Sequence, residues 1–258
     1  MNAAATACRE RTRSLFEDDL SEDAGVLQVV SCWRTPMGGA RVIAINASAP
    51  ASPTDRFVLH LARSRADAIV TTGSILRAEP KLTHGVAGPA KDRAELDAWR
   101  RESLGRSASP LSLVLTSGEG LDLDHSLFQA GNPCVIYTGE DAAERLRAAG
   151  GERGIEVVGH PTPSLRNALT WLREQREART ISIEAGPTTT LPLYEEPVAV
   201  REIMLSIYEE AELTEAARGP LFLDPDELEA RGFEAEQRVS RQEPSGRWSF
   251  GRLLRHSG

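Results

Sequence analysis

Three short stretches of this chain join a glycine to hydroxyl side chains directly after an apolar run. Thr71-Thr72-Gly73-Ser74 follows "AIV", Thr116-Ser117-Gly118 follows "LVL", and Glu184-Ala185-Gly186-Pro187-Thr188 follows "ISI". A glycine lets the backbone approach a ligand with no Cβ in the way, and hydroxyls beside free amides can face a phosphate. In the third stretch Pro187 suits the first turn of a helix, and Thr188, Thr189 and Thr190 supply hydroxyls there. That turn reads either as a plain strand-to-helix connection or as an anion site. Glu184 sharpens the choice. A carboxylate beside Ile181, Ile183 and Ala185 is costly without a partner, whether ligand, arginine or backbone N–H.

In open α/β sheets ligands bind outside the carboxyl ends of the strands, so the elements around these turns decide what they can do. From about residue 26 short β-branched runs alternate with amphipathic stretches. "LQVV", "RVIAINA", "AIVTT", "LSLVLTS", "PCVIYTG", "IEVVG", "TISIEAG" and "REIMLSIY" read as strands. "SPTDRFVLHLARSRAD" opens with a helix start, "EDAAERLRAAG" ends in a helix-stopping glycine, and "SLRNALTWLREQREA" carries Leu165, Leu169 and Leu172 in a stripe. A polar segment from His84 to Pro110 reads as a loop insertion with a short helix around "DRAELDAWRRE". "FEAEQRVSRQ" and "GRWSFGRLL", joined by "EPSG", read as a terminal hairpin. The expected fold is one α/β domain over 26–258, a mostly parallel sheet with helices on both faces and a C-terminal antiparallel hairpin, preceded by a flexible, frayed extension at 1–25.

Composition narrows the function classes. The 258 residues are 40% apolar, enough for an ordinary core, and the net charge of -8 argues against nucleic acid as a partner. Cys8, Cys32 and Cys134 lie far apart without metal-ligand spacing, and the five histidines are scattered, so neither a disulfide framework nor a metal site is expected. The first 25 residues have no apolar stretch suited to a signal peptide, and a cytoplasmic protein with no membrane partner is expected.

Two segments taken together are far more specific than the turns alone. "ADAIVTTGSILRAEPKLTH" followed by "ISIEAGPTTTLPLYEEPVAVREIMLSIY" resembles the reductase domain of bacterial bifunctional deaminase-reductases of riboflavin biosynthesis, and the stand-alone pyrimidine reductases of the same dihydrofolate-reductase-like superfamily. The resemblance implies a dihydrofolate-reductase-like sheet, a homodimer, and reduction of a ribosylaminopyrimidine phosphate by NADPH. Position by position, it places Thr72, Gly73, Ser74, Glu79, Ser117, Gly186, Pro187, Thr188, Thr189 and Thr190 at the cofactor. It places Arg63, Leu82, His84 and Glu184 at the substrate, with Glu184 as the catalytic acid. Apart from the resemblance, a guanidinium suits the extra phosphate of NADPH, and Arg77 is a candidate for it on that ground alone.

The sequence also departs from that family. The "S-x-D-G" signature expected after the first long strand is missing from "INASAPASPTD". The family's "V-G-x-G-T" becomes "TTGSI". His84 and Gly85 stand where an arginine commonly follows "P-x-L-T", and Arg201 reverses a charge in "VREI". A reductase-like domain that has lost catalysis and serves as a binding or regulatory protein is therefore the alternative to an NADPH-dependent enzyme.

Overall fold

The computed structural model describes residues 2–255. In chain order the helices are α1 (Ala3–Phe16), α2 (Pro53–Arg65), α3 (Gly73–Ala78), α4 (Ala90–Leu104), α5 (Ser126–Gln129), α6 (Glu140–Gly151), α7 (Leu165–Arg176), α8 (Pro187–Thr190) and α9 (Pro225–Glu229). The strands are β1 (Gly25–Arg34), β2 (Ala40–Ile43), β3 (Ala68–Thr72), β4 (Leu111–Leu115), β5 (Cys134–Gly139), β6 (Glu156–His160), β7 (Thr180–Ile183), β8 (Glu202–Tyr208), β9 (Arg218–Phe222), β10 (Phe233–Glu243) and β11 (Gly246–Arg255).

The strands form one sheet in the order β10-β11-β8-β1-β7-β3-β4-β5-β6, with β2 paired to β1 and β9 to β2. From β8 to β6 every pairing is parallel. The β10–β11 hairpin adds antiparallel strands on the β8 side, and β2 and β9 form a small antiparallel flap. The mostly parallel sheet with a closing hairpin is the architecture expected from the alternating apolar runs.

Central strands are apolar on both faces because helices cover both, and every residue of β3 is buried. One face carries Val26, Val70, Leu113, Val135, Ile181 and Ile203, closed by α7 through Leu165, Leu169 and Leu172. Each such leucine contributes about 1.5–3 kcal/mol when fully buried. Ser164 starts α7 by accepting the amide of Asn167 at 3.1 Å. The other face carries Leu27, Met204, Tyr208 and Trp248 under α1, α2 and α4.

Three expectations change. The segment read as a frayed extension contains α1, whose Ala5, Cys8, Leu15 and Phe16 are buried. The stretch read as a loop from His84 to Pro110 contains the four-turn helix α4, anchored by Leu96 and Trp99. "RVIAINA" is not a long strand leading to α2. The first long strand is β1, and of that stretch only the part within β2 pairs, antiparallel to β1 and β9.

One register detail shapes the site. The pairing of β1 with β7 ends at Gln28↔Ile183, whereas its pairing with β8 continues to Trp33↔Tyr208. The sheet therefore splits after Gln28, at the carboxyl end of β7.

Candidate functional site

β7, β3 and β4 are adjacent and parallel, so their carboxyl ends place all three glycine turns side by side. The glycines nonetheless do different work. A Cβ on Gly73 would fall 2.6 Å from the Thr116 hydroxyl, and one on Gly118 would fall 2.9 Å from Cβ of Ala142 at a φ of +86°. Both are small because neighbouring parts of the protein crowd them. Gly186 is exposed, has a φ of -69°, and nothing lies within 4 Å of where its Cβ would be. Nothing in the fold demands glycine there, and open space beside a backbone turn is what close approach by a ligand needs.

The hydroxyls divide in the same way. Ser74, Ser117 and Thr188 are exposed. Thr72 caps α3, accepting the amide of Ile75 at 3.4 Å and bonding Ser74 Oγ at 2.8 Å. Pro187 is buried at the first position of α8, and Thr189 is half-buried behind it. Thr190, expected at the cofactor, faces inward instead. It accepts from Gln28 Nε2 at 3.2 Å, and Gln28 Oε1 accepts the Tyr194 hydroxyl at 2.8 Å. Thr190 is fully buried, so its hydroxyl does not reach the open side of the turn where a phosphate would lie.

Beneath α2 lies a second group. Ser52 and Pro53 begin this helix, with Ser52 Oγ accepting the Asp55 amide at 2.9 Å. Two turns later Arg63 reaches the sheet and meets Glu184, whose amide holds the strand by donating to Val70 O at 2.8 Å. Arg63 Nε and Nη2 donate to the two carboxylate oxygens of Glu184 at 2.6 Å each, and Nη1 donates to Thr83 O at 3.1 Å and Gly85 O at 3.2 Å. Four of the five N–H donors that a guanidinium carries are thereby engaged. Burial pushes the Glu184 carboxyl pKa up, but the Arg63 charge and hydrogen bonds outweigh it and hold the group below the usual range.

Glu184 thus has a protein partner, the alternative left open by the sequence. Arg63 is 6% exposed, so it is no solvated surface residue. Around the pair, Glu79 is half-buried at the end of α3, with its pKa raised by burial and by the Glu184 charge. His60 and His84 are both pushed down to about 4, first by burial. His84 was expected to donate to a substrate phosphate. Its Nδ1 instead lies 2.8 Å from Ser112 Oγ, the ring is 2% exposed, and it stays neutral at ordinary pH. Leu82, also expected at the substrate, packs against Leu76, Val114 and Leu127.

Asp55 went unnoticed in the sequence beyond marking a helix start. It accepts from Ser31 Oγ at 2.7 Å, and burial raises its pKa despite the hydroxyls of Ser206 and Ser31. Ser31 lies just past the split between β1 and β7, opposite Ser206 in the register with β8. A half-buried acid in the first turn of α2 was legible only as polar; the sheet order gives it a setting.

The residues fit a dinucleotide at the β7 turn better than at the other two. Gly186 offers open backbone and Thr188 an exposed hydroxyl; Pro187 has no N–H and the amides of Thr189 and Thr190 donate to Gly186 O at 2.9 and 3.1 Å, which leaves the Thr188 amide as the first donor of the turn. Ser117 and Ser74 lie on the adjoining strand ends, and Arg77, exposed, donates to Glu119 O at 3.2 Å.

The sequence pattern described as the RibD C-terminal domain matches residues 40–199. No curated protein matches the sequence. Among solved structures, a pyrimidine reductase-like protein from Corynebacterium diphtheriae is 20% identical, with a TM-score of 0.64 over 92% of this chain and 94% of its own. Acinetobacter baumannii RibD is 16% identical at a TM-score of 0.63 over 92% of this chain, which spans 59% of that longer protein. The riboflavin biosynthesis reductase Rib7 of Saccharomyces cerevisiae is 13% identical at a TM-score of 0.54, covering 90% of this chain and 91% of its own. At these identities the likeness is one of fold, while the pattern spans well over half of the sequence. The chain belongs to the RibD C-terminal domain family.

Proposed function

We propose that the protein is an NADPH-dependent reductase acting on a ribosylaminopyrimidine or a closely related sugar amine, working as a homodimer. The observation that carries this reading is the juxtaposition of Gly186, open to a ligand, with Glu184, two residues before it, which Arg63 of α2 holds in an ion pair. In this reading Gly186, Thr188 and Thr189 hold the pyrophosphate, Ser74 and Ser117 line the adjoining wall, and Arg77 takes the extra phosphate. Glu79 lies close enough to Glu184 to feel its charge. NADPH, when bound, supplies the hydride that reduces an imine-like sugar carbon, and the nitrogen takes up a proton to give the amine.

The protein's own part is to position. Arg63 fixes the rotamer of Glu184, so that a polyhydroxy chain meets a carboxylate already oriented. The raised pKa of Glu79 lets it hold a proton to higher pH than an ordinary glutamate beside that carboxylate.

A thermal shift with NADPH and NADH tests the reading. Saturation at one hundred times the dissociation constant stabilises a protein by about 2.7 kcal/mol. A rise with NADPH larger than with NADH is expected; no rise with either would overturn the assignment. The engagement of Arg63 by Glu184 also favours a second reading, a reductase-like binding protein without turnover. Oxidation of NADPH with any ribosylaminopyrimidine excludes that one.

A further inference from the structure

We infer that the cavity beside the C-terminal turns of α2 and α4 binds a phosphate group, held by Arg100 and Arg101 of α4 with the side chains of Ser107, Ser109 and Asn132. The cavity lies at the amino ends of the central strands: Arg106 reaches Asp67 just ahead of β3, Pro110 leads into β4, and Asn132 stands just before β5. The five residues of β4 set it about 17 Å from the glycine turns at the other end of the sheet.

Two of the four guanidiniums on the lining are neutralised, Arg63 by Glu184 and Arg106 by Asp23 and Asp67. Arg100 is half-buried and donates only to carbonyls, those of Ser64, Ala66 and Ala108, at 2.6 to 3.1 Å. These bonds fix the guanidinium without cancelling its charge, and they leave one Nη2 N–H uncommitted. Burial, and then the Arg106 charge, lower its pKa, a strain that a bound anion relieves. Arg101 is exposed and makes no hydrogen bond or ion pair among the described residues. Against these two cations the lining sets one carboxylate, the exposed Asp97.

Neutral donors complete the set. The side chains of Ser107, Ser109 and Asn132 have no hydrogen-bond partner among the described residues. His84 also lines the cavity, and its Nε2 is buried without a partner. With Nδ1 accepting from the Ser112 hydroxyl, Nε2 carries a proton to donate. The cavity measures about 120 Å³, less than the roughly 150 Å³ that admits a benzene-sized ring. It therefore suits a tetrahedral group rather than a base, and phosphate oxygens are what guanidiniums and hydroxyls bind. That group is either free phosphate or the end of a phosphorylated substrate of the reductase proposed above, and the experiment separates the two.

Calorimetric titration with inorganic phosphate, which needs no cofactor, tests the site itself. Saturable binding at about 1 mM or tighter is expected. Arg101→Ala should weaken it by roughly tenfold or more. Asp97→Asn should tighten it roughly threefold. Both side chains are exposed, so neither change threatens the fold. Arg93→Ala, on the same helix but off the lining, should leave binding as it was. No saturable binding, or binding indifferent to Arg101→Ala, overturns the inference. Kinetics with a ribosylaminopyrimidine 5′-phosphate and NADPH then name the source. If the substrate's phosphate fills the cavity, inorganic phosphate competes with it, and Arg101→Ala raises its KM far more than that of the dephosphorylated compound. If free phosphate fills it, there is no competition and both KM values respond alike. A protein without turnover loses the reductase reading, and the calorimetric result still decides the site.

Discussion

Arg63 and Glu184, 121 positions apart in sequence, meet through two hydrogen bonds of 2.6 Å in a bidentate pair between helix α2 and the end of β7. Removing one partner of a buried pair leaves an uncompensated charge and costs about 3–5 kcal/mol. Glu184→Gln is therefore expected to lower the thermal midpoint and turnover together, with NADPH affinity nearly intact. Joint replacement, Arg63→Met with Glu184→Leu, removes both charges and should recover much of the stability but none of the turnover. A Glu184→Gln protein as stable and active as the original would show that the pair neither holds the fold nor serves the reaction.

The two glycines at neighbouring strand ends give a sharper contrast. Gly73→Ala drives a Cβ to 2.6 Å from Thr116 Oγ1 and 3.0 Å from its Cβ. Overpacking of this kind costs about 1–3 kcal/mol. Gly186→Ala meets nothing and keeps an ordinary φ, so stability should hold or rise slightly. Its effect belongs to the ligand, with NADPH affinity falling at least tenfold and Gly186→Val weaker still. Urea denaturation and NADPH titration of the two alanine variants check both halves. An unchanged NADPH affinity in Gly186→Ala would remove that turn from the cofactor site.

Legibility in the sequence followed how far each feature depends on neighbours in the chain. β3, β4, β5 and β7 were readable because each is a short β-branched run closed by polar residues, and α7 because its leucines recur at helical spacing. α1 escaped because its inner stripe, Ala5, Cys8, Thr12 and Leu15 to Phe16, keeps the spacing but contains a threonine, a cysteine and an alanine. The helix buries Thr12 by turning its hydroxyl onto Cys8 O at 2.9 Å, a local bond that apolar counting does not see. In the site, Arg63 and Glu184 were each singled out, yet their pairing depends on β7 lying between β1 and β3. Strand order is a long-range property, and no local pattern encodes it.

The α1 finding carries its own prediction. Leu15 is fully buried in the cluster that includes Phe57 and Trp99, and Arg9 Nη2 donates to Ser103 Oγ at 3.0 Å across to α4. Truncating a core leucine to alanine costs about 2–5 kcal/mol. Leu15→Ala should reduce the unfolding free energy by an amount in that range, read by urea denaturation, whereas a leucine in a frayed extension would give no change.

Acid sensitivity follows from the two buried histidines. The folded pKa of His60 and of His84 is pushed down to about 4, against a model-compound value of 6.5. A depressed folded pKa means that the unfolded chain takes up the proton first as the pH falls. The stability linked to each ring is complete above about pH 6.5 and is lost between there and about pH 4. At about 1.4 kcal/mol for each pH unit, the loss is on the order of 3 kcal/mol for each histidine. Glu184, also depressed, adds its loss below the ordinary carboxylate range. Urea denaturation of the protein at pH 7, 5.5 and 4 should therefore show a steep fall in stability. His84→Asn, which keeps a polar group beside Ser112 and cannot charge, should show a shallower one. Parallel pH profiles for the two proteins would mean that His84 is not the buried neutral ring described here.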